Sequence, residues 1–155
     1  MKRTSAGGAL AGMATGHDSK GKPLPRWAFA SLHGCGAVCS TADDMLTLLE
    51  AYCGRTETKL RKAMQATQER RRPAFAGGHV GLGWFLRDVG GRKVWFHDGG
   101  TTGFKACTSF CENPAVAVVV LCNTGSDAGD DGRDFYRMGE ALIRKLVESR
   151  RKGDE

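Results

Sequence analysis

The hydrophobic pattern of the first half of the chain predicts two helices. Ser40 to Asp43 form a capping box ahead of a broad apolar face, and Gly54 can end this helix, which is predicted at 40–53. A second, more polar helix is predicted at 56–71, because apolar residues recur on one side of it until Pro73 interrupts the pattern.

The rest of the chain predicts a sheet followed by one more helix. Glycine turns separate four apolar runs, which are predicted as strands at 80–89, 93–97, 104–112 and 116–122. Short turns between successive strands favour an antiparallel meander. A helix predicted at 132–150 carries an apolar stripe of Phe135, Met138, Leu142, Ile143, Leu146 and Val147 that can cover one sheet face. The glycine-rich residues 1–39 show no sustained period and are predicted to be irregular. We therefore expect one α+β domain over 1–155.

Composition restricts the classes of partner. The 155 residues are 41% hydrophobic and 26% charged, close to the average of globular proteins. The longest apolar run, Ala115 to Cys122, is too short to span a bilayer, and no signal peptide is visible, so we expect no membrane partner and leave localisation open. The net charge of +6 comes partly from arginine clusters at helix ends, and no nucleic-acid motif accompanies them.

Six cysteines could form a disulfide framework or a metal site. Cys35 and Cys39 share a three-residue spacing with Cys107 and Cys111, whereas structural zinc sites mostly use two intervening residues. We therefore expect reduced, partly buried thiols, with no metal and no cofactor.

Five strings in fixed order resemble the serine β-lactamase-like family of class C β-lactamases, D-alanyl-D-alanine carboxypeptidases and family VIII esterases. The likeness extends from about Gly16 to the last helix and corresponds to the C-terminal part of that fold. The strings are Gly16-His17-Asp18, Gly21-Lys22-Pro23, Ser40-Thr41-Ala42-Asp43-Asp44-Met45-Leu46, Gly81-Leu82-Gly83-Trp84 and His97-Asp98-Gly99-Gly100-Thr101-Thr102-Gly103-Phe104.

The resemblance implies roles for the last string only. In this family a Ser-x-x-Lys motif supplies the nucleophile and base, a Tyr-x-Asn or Ser-x-Asn motif assists proton transfer, and a Lys/His-x-Gly strand binds substrate. His97-Asp98-Gly99 is similar to the third motif. It implies His97, Gly99 and Gly100 as catalytic, with the Gly100 N–H as an oxyanion donor, and Asp98, Thr101 and Thr102 as substrate-binding.

The nucleophile motif has no convincing match. Formal Ser-x-x-Lys matches begin at Ser19, in a proline-flanked turn, and at Ser149, in a charged tail, whereas the family serine opens a buried helix. Tyr52 and Tyr136 lie on apolar helix faces without the following asparagine and are interpreted as core residues.

Three functions remain open from the sequence. The chain can be part of a serine acyl hydrolase for a β-lactam, a D-alanyl peptide or an ester, inactive until the missing half completes it. It can be a binding or self-assembling protein descended from that fold. A weaker alternative pairs Cys107 with His97 as an unusual nucleophile.

The uncharged strand 116–122 also bears on assembly. In the full-length family, strands from the N-terminal part complete the sheet beside it, so here an exposed edge is expected. We therefore expect a homodimer, or a complex with a complementing N-terminal half, with this strand or the 132–150 helix at the interface.

Overall fold

A computed structural model describes residues 2–8, 11–74, 78–125 and 133–153. The strands are β1 (Ser5–Ala6), β2 (Gly16–His17), β3 (Pro23–Leu24), β4 (Val38–Cys39), β5 (Arg72–Pro73), β6 (His79–Val80), β7 (Phe85–Val89), β8 (Arg92–Thr101), β9 (Phe104–Glu112) and β10 (Ala115–Cys122). The helices are α1 (Ala42–Tyr52), α2 (Arg61–Gln68) and α3 (Arg133–Gly153), with a short 3-10 turn at His33–Cys35.

The main sheet confirms the predicted α+β class and the antiparallel meander. Its strand order is β10-β9-β8-β7-β6-β5, and every described neighbour pair is antiparallel. It has six strands where about four were predicted. The segment predicted to be irregular contributes two small sheets, β1 with β4 and β2 with β3.

One predicted strand, 80–89, is interrupted. The backbone N–H of Leu82 donates to the carbonyl of Thr67 at 2.8 Å, and the N–H of Gly81 donates to the Trp84 carbonyl at 2.8 Å. The second bond closes a turn that folds β6 back onto β7, and the first ties this turn to the end of α2. A Cβ on Gly81 would collide with the Thr67 carbonyl, so this close approach requires glycine.

The helices are shorter or shifted relative to their predictions. The N-cap of α1 is Thr41, whose hydroxyl accepts from the Asp44 N–H at 3.2 Å, while the Ser40 hydroxyl is hydrogen-bonded to that of Thr4 at 2.7 Å. Helix α2 covers eight residues of the predicted 56–71. The first residue predicted for the last helix, Gly132, lies outside the described residues.

An aromatic core fills the sheet face that α1 covers. The rings of Tyr52, Trp84 and Phe110 lie with centroids 5.1 Å apart in each pair, two of them edge to face. Leu49 and Trp95 complete the cluster, and Phe110 and Leu49 are fully buried. This face anchors the middle of β8 through Trp95.

An aliphatic core fills the opposite face beneath α3. Ile143 and Val147 of the helix pack there against Val89, Val94, Cys111, Val116 and Val118 of the sheet. A Cβ on Gly139 would collide with the Cys107 sulfur, so glycine lets the helix lie directly on β9.

The rotation of α3 differs from the predicted stripe. Because the Gly139 face turns to the sheet, Met138, Leu142 and Leu146 remain 46%, 42% and 40% exposed. They form a flank on the side of the helix away from Glu140, which bonds to Arg87 of β7. This exposed flank therefore points toward the β10 end of the sheet.

Three glycine backbones meet where β8 turns into β9. Gly103 has a φ of 76°, and a Cβ there would lie 2.8 Å from the Cα of Gly16. A Cβ on Gly125 would lie 2.6 Å from the Gly103 nitrogen. The His17 N–H donates to the Asn123 carbonyl at 2.9 Å and the Gly125 N–H donates to the His17 carbonyl at 2.8 Å, so the three segments form one junction.

Gly103→Ala should lower the free energy of unfolding by about 3 kcal/mol, because it adds overpacking to the cost of a left-handed conformation. Gly21→Ala is the matched control, since Gly21 has a φ of 79° and its Cβ would meet nothing within 4 Å. We expect about 1–2 kcal/mol for the control. Urea unfolding measures both, and equal losses would mean that the glycine junction is not tightly packed.

Candidate functional site

The motif strand, His97 to Thr101, is the part of β8 that is hydrogen-bonded to a neighbouring strand on one side. Pairing with β7 ends at Phe85 and Phe96, whereas pairing with β9 continues from Trp95 to Thr101. Among the described strands, none pairs with the other edge of β8 after Phe96. The strand includes Gly99 and Gly100 and extends four residues past its predicted end. The site is therefore the open edge of an ordered strand.

Strand alternation separates the predicted site residues between two faces. Trp95 belongs to the α1-side core and Val94 to the α3-side core, so His97 and Gly99 share the α1 face while Asp98 and Gly100 share the α3 face. The side chain of His97 is exposed and its ring lies 5.9 Å from that of Phe85.

The two glycines differ in what surrounds them. A Cβ on Gly99 would meet nothing within 4 Å, so nothing in the described chain requires glycine there. A Cβ on Gly100 would lie 3.3 Å from the Phe104 carbonyl and 3.8 Å from the Tyr136 hydroxyl. Tyr136, interpreted from the sequence as a core residue, thus reaches the motif strand. Its position on an apolar helix face gave no sign of this, because the contact depends on how α3 is rotated.

The Asp98 carboxyl is half-buried. Burial raises its pKa, and the charges of His97 and Arg87 only partly offset that. Arg87 itself donates to Glu140 at 2.6 Å and lies 4.0 Å from the centre of the Phe96 ring. Burial works against the Glu140 charge, but the hydrogen bonds and charges of Arg87 and Arg144 outweigh it and lower the pKa of Glu140.

The threonines lie at the end of the strand. Thr101 is the last residue of β8. Its methyl group and the Phe29 ring both lie next to Gly36, at 3.6 Å and 3.5 Å from the position that a Cβ on Gly36 would occupy. Thr102 lies in the following turn. Phe29 is in edge contact with Trp27, which is 49% exposed, so an aromatic pair borders this end of the motif.

Neither formal Ser-x-x-Lys match has the setting of a nucleophile. Ser19 is exposed in the turn between β2 and β3. Ser149 is exposed near the end of α3, where its hydroxyl donates to the Leu146 carbonyl at 3.0 Å. Tyr52 is a core residue as interpreted, with its hydroxyl bonded to that of Thr67.

The strand register does not favour the alternative pair of Cys107 with His97. Cys107 lies opposite Asp98 in the register and contacts Gly139 on the α3 face, whereas His97 lies opposite Thr108 and faces the α1 side. Burial, followed by the Asp98 charge, raises the pKa of the Cys107 thiol to about 11. A thiol with so high a pKa is protonated at neutral pH, which disfavours it as a nucleophile.

The six cysteines are free thiols. Cys53 donates to the Cys111 carbonyl, and burial followed by the Glu112 charge raises its pKa to about 11. Within the described ranges, no three His, Cys, Asp or Glu side chains cluster as a metal site would require. None of the described helices has the length and apolar character to cross a membrane.

A family model described as Beta-lactamase matches residues 1–143. The D-amino acid amidase from Ochrobactrum anthropi SV3, complexed with D-phenylalanine, is similar in structure with a TM-score of 0.66 at 20% identity, over 96% of this chain and 49% of the amidase. The octameric penicillin-binding protein homologue from Pyrococcus abyssi has a TM-score of 0.59 at 20% identity, over 71% of this chain and 26% of that one. At these identities the likeness shows the fold alone. This chain spans about half the length of the amidase. No curated protein sequence matches it.

At pH 8, a disulfide reagent such as DTNB should label exposed Cys35 rapidly, and Cys53 and Cys107 roughly 100-fold or more slowly. Burial blocks access to these two thiols and keeps them protonated. Labelling of the denatured protein serves as control and should reach all six thiols. Fast labelling of Cys107 in the native protein would contradict its placement beneath α3.

The same thiols should make stability depend on pH. The pKa of each buried thiol is about 11 in the folded protein, above the unfolded value of 9.0. Between these pH values the unfolded chain loses its thiol protons first, so the free energy of unfolding is unaffected below about pH 9 and falls as pH rises toward 11. Urea unfolding across this range should show a smaller loss for Cys107→Ala than for the unchanged chain. An equal loss in both would contradict the assignment.

Proposed function

Since this chain belongs to the beta-lactamase family, whose model matches residues 1–143, we propose that it supplies the substrate-binding strand of a serine acyl hydrolase. The nucleophilic serine and its lysine would come from outside these 155 residues, on the same polypeptide or on another. Without them the chain does not hydrolyse substrate. The candidate substrates are a β-lactam, a D-alanyl peptide or a small ester or amide.

The open edge of β8 carries this proposal. Unpaired backbone groups at His97 to Thr101 can bond to an extended acyl substrate as a neighbouring strand would. Gly99 has empty space above its Cα although its neighbours do not require glycine. A glycine that the chain itself does not need suits the approach of a ligand backbone.

The residue roles follow from the two faces of the strand. His97 is exposed beside Gly99 and can donate a hydrogen bond to a substrate oxygen or to the nucleophile network. The Gly100 N–H would be one oxyanion donor, by resemblance to the family, and the second would come from the nucleophile residue. Thr101 borders the aromatic pair Trp27 and Phe29, an apolar surface for a substrate side chain, and Thr102 follows it in the turn.

The purified chain should hydrolyse a chromogenic cephalosporin, a nitrophenyl ester and a D-amino acid amide no faster than buffer. Loss of a nucleophile of this class typically costs about a million-fold. His97→Ala should give the same background rate. Turnover that His97→Ala abolishes would show a nucleophile within these residues and overturn the proposal.

Isolation of the protein from its source cells tests whether another segment or polypeptide supplies the nucleophile. Isolation with an antibody against the α3 sequence should recover a polypeptide that contains a Ser-x-x-Lys helix, fused to this chain or bound to it. Its activity should fall at least tenfold with Gly99→Val, because a branched side chain would fill the space above the strand edge. Recovery of the chain without any such polypeptide would favour the non-catalytic alternative.

That alternative is a binding or self-assembling protein, and two exposed surfaces favour it. Strand β10 forms an edge of the main sheet, with Leu121 45% exposed. The α3 flank of Met138, Leu142 and Leu146 points toward the same edge. Together they offer unpaired backbone groups beside an apolar surface, which a second copy can bury across a two-fold axis. We propose a homodimer through this surface when no complementing half is present.

Sedimentation at micromolar concentration should give a dimer for the isolated chain. Leu142→Glu should shift it toward monomer, because an unpaired charge would be buried at the interface. Leu60→Glu is the control. Leu60 is 61% exposed at the start of α2, a helix that packs on the α1 face of the sheet, opposite the flank of α3. A well-folded monomer with protected β10 amides would contradict the dimer.

A further inference from the structure

A cavity of about 180 Å³ lies between α3 and the reverse face of the motif strand. Its walls come from β7, β8, β9 and the first turns of α3. They combine apolar and polar groups, among them Val94, Phe96, Asp98, Cys107, Tyr136 and Ile143. A dry apolar cavity of about 150 Å³ is large enough to hold benzene, so the volume fits a single six-membered ring.

The charges around the cavity are matched except at Asp98. Arg87 and Glu140 form an ion pair at 2.6 Å, which Arg144 extends. Arg137 also lines the cavity and has an interaction of its own. In contrast, no hydrogen bond or ion pair within the described part of the chain engages the Asp98 carboxylate.

Burial removes part of the hydration of the Asp98 carboxylate, and the charges of His97 and Arg87 offset that loss only in part. A ligand cation placed next to it would restore that interaction, and the surrounding aromatic and aliphatic walls would bury an attached ring. An anionic group would be repelled, and a neutral group would gain only the apolar contact.

We propose that this cavity binds the cationic end of a small ligand, an ammonium or amidinium group attached to a ring or short apolar chain, with Asp98 as its counter-ion. His97 also contributes to the cavity lining, but the counter-ion role falls to Asp98, the carboxylate that no hydrogen bond or ion pair of the described residues engages, and binding there does not depend on hydrolysis.

Three ring compounds of nearly equal shape test the proposal on the 155-residue chain by NMR titration at pH 7.5. Benzamidine is cationic, benzamide neutral and benzoate anionic. Benzamidine should bind at least about tenfold more tightly than benzamide, with benzoate weakest. The shifted resonances should centre on Asp98, Cys107 and Ile143. Equal binding of benzamidine and benzamide, tighter binding of benzoate, or no saturation by benzamidine below about 10 mM would each overturn the proposal.

Asp98→Asn should reduce benzamidine affinity to that of benzamide, because it keeps the shape of the side chain and removes its charge. Asp43→Asn is the matched control, an exposed carboxyl in the first turn of α1, and should leave affinity unchanged. Undiminished binding by Asp98→Asn would overturn the proposal. If that variant does not fold, the three compounds on the unchanged chain still decide.

Discussion

The site end of the molecule depends on the contact of three glycine backbones. Gly16, Gly103 and Gly125 approach so closely that a Cβ on any of them would meet backbone or ring atoms at 2.9 Å or less. Close approach allows His17 to form two backbone hydrogen bonds with the segment that follows β10, at Asn123 and Gly125. The turn after β8 is thereby fixed against the N-terminal segment and the end of β10. Residues distant in the sequence thus hold the motif strand in place while leaving its outer edge unpaired.

A second close contact sets the other face of that strand. Because Gly139 lies against the Cys107 sulfur, α3 packs on β9 with its Ile143 and Val147 face. This rotation places Tyr136 near Gly100 and leaves room for a cavity under Asp98. It also exposes the Met138, Leu142 and Leu146 flank. One glycine therefore determines both the shape beneath the motif and the apolar surface available to a partner.

Local signals in the sequence were sufficient to predict most helices and strands, but not the contacts between them. Capping chemistry located α1 to within two residues at each end, and the continuous apolar run located β10. The interruption at Gly81 was not predicted. It is a turn between β6 and β7 that combines a local bond from Gly81 to Trp84 with a bond from Leu82 to the end of α2, and the second of these has no local signal. The extension of β8 through Gly99 and Gly100 was missed for a similar reason, since pairing with β9 overrides the turn preference of glycine. The role of Tyr136 could not be foreseen either, because helical periodicity does not tell which part of an apolar stripe faces the sheet.

Strand alternation changes how the motif itself should be interpreted. A run of consecutive polar residues in a sequence suggests one site, but on a strand neighbouring side chains point to opposite faces. His97 and Gly99 face the exposed α1 side, whereas Asp98 faces the cavity beneath α3. The backbone edge of β8 lies between the two faces of the sheet, so a ligand paired along this edge could contact side chains on either face. A histidine donor on one side and an unmatched carboxylate on the other disfavour a ligand with a negative charge near Asp98. The same geometry accommodates a neutral or positively charged one, so Asp98, which lies on the opposite face from His97, would select the charge of the ligand.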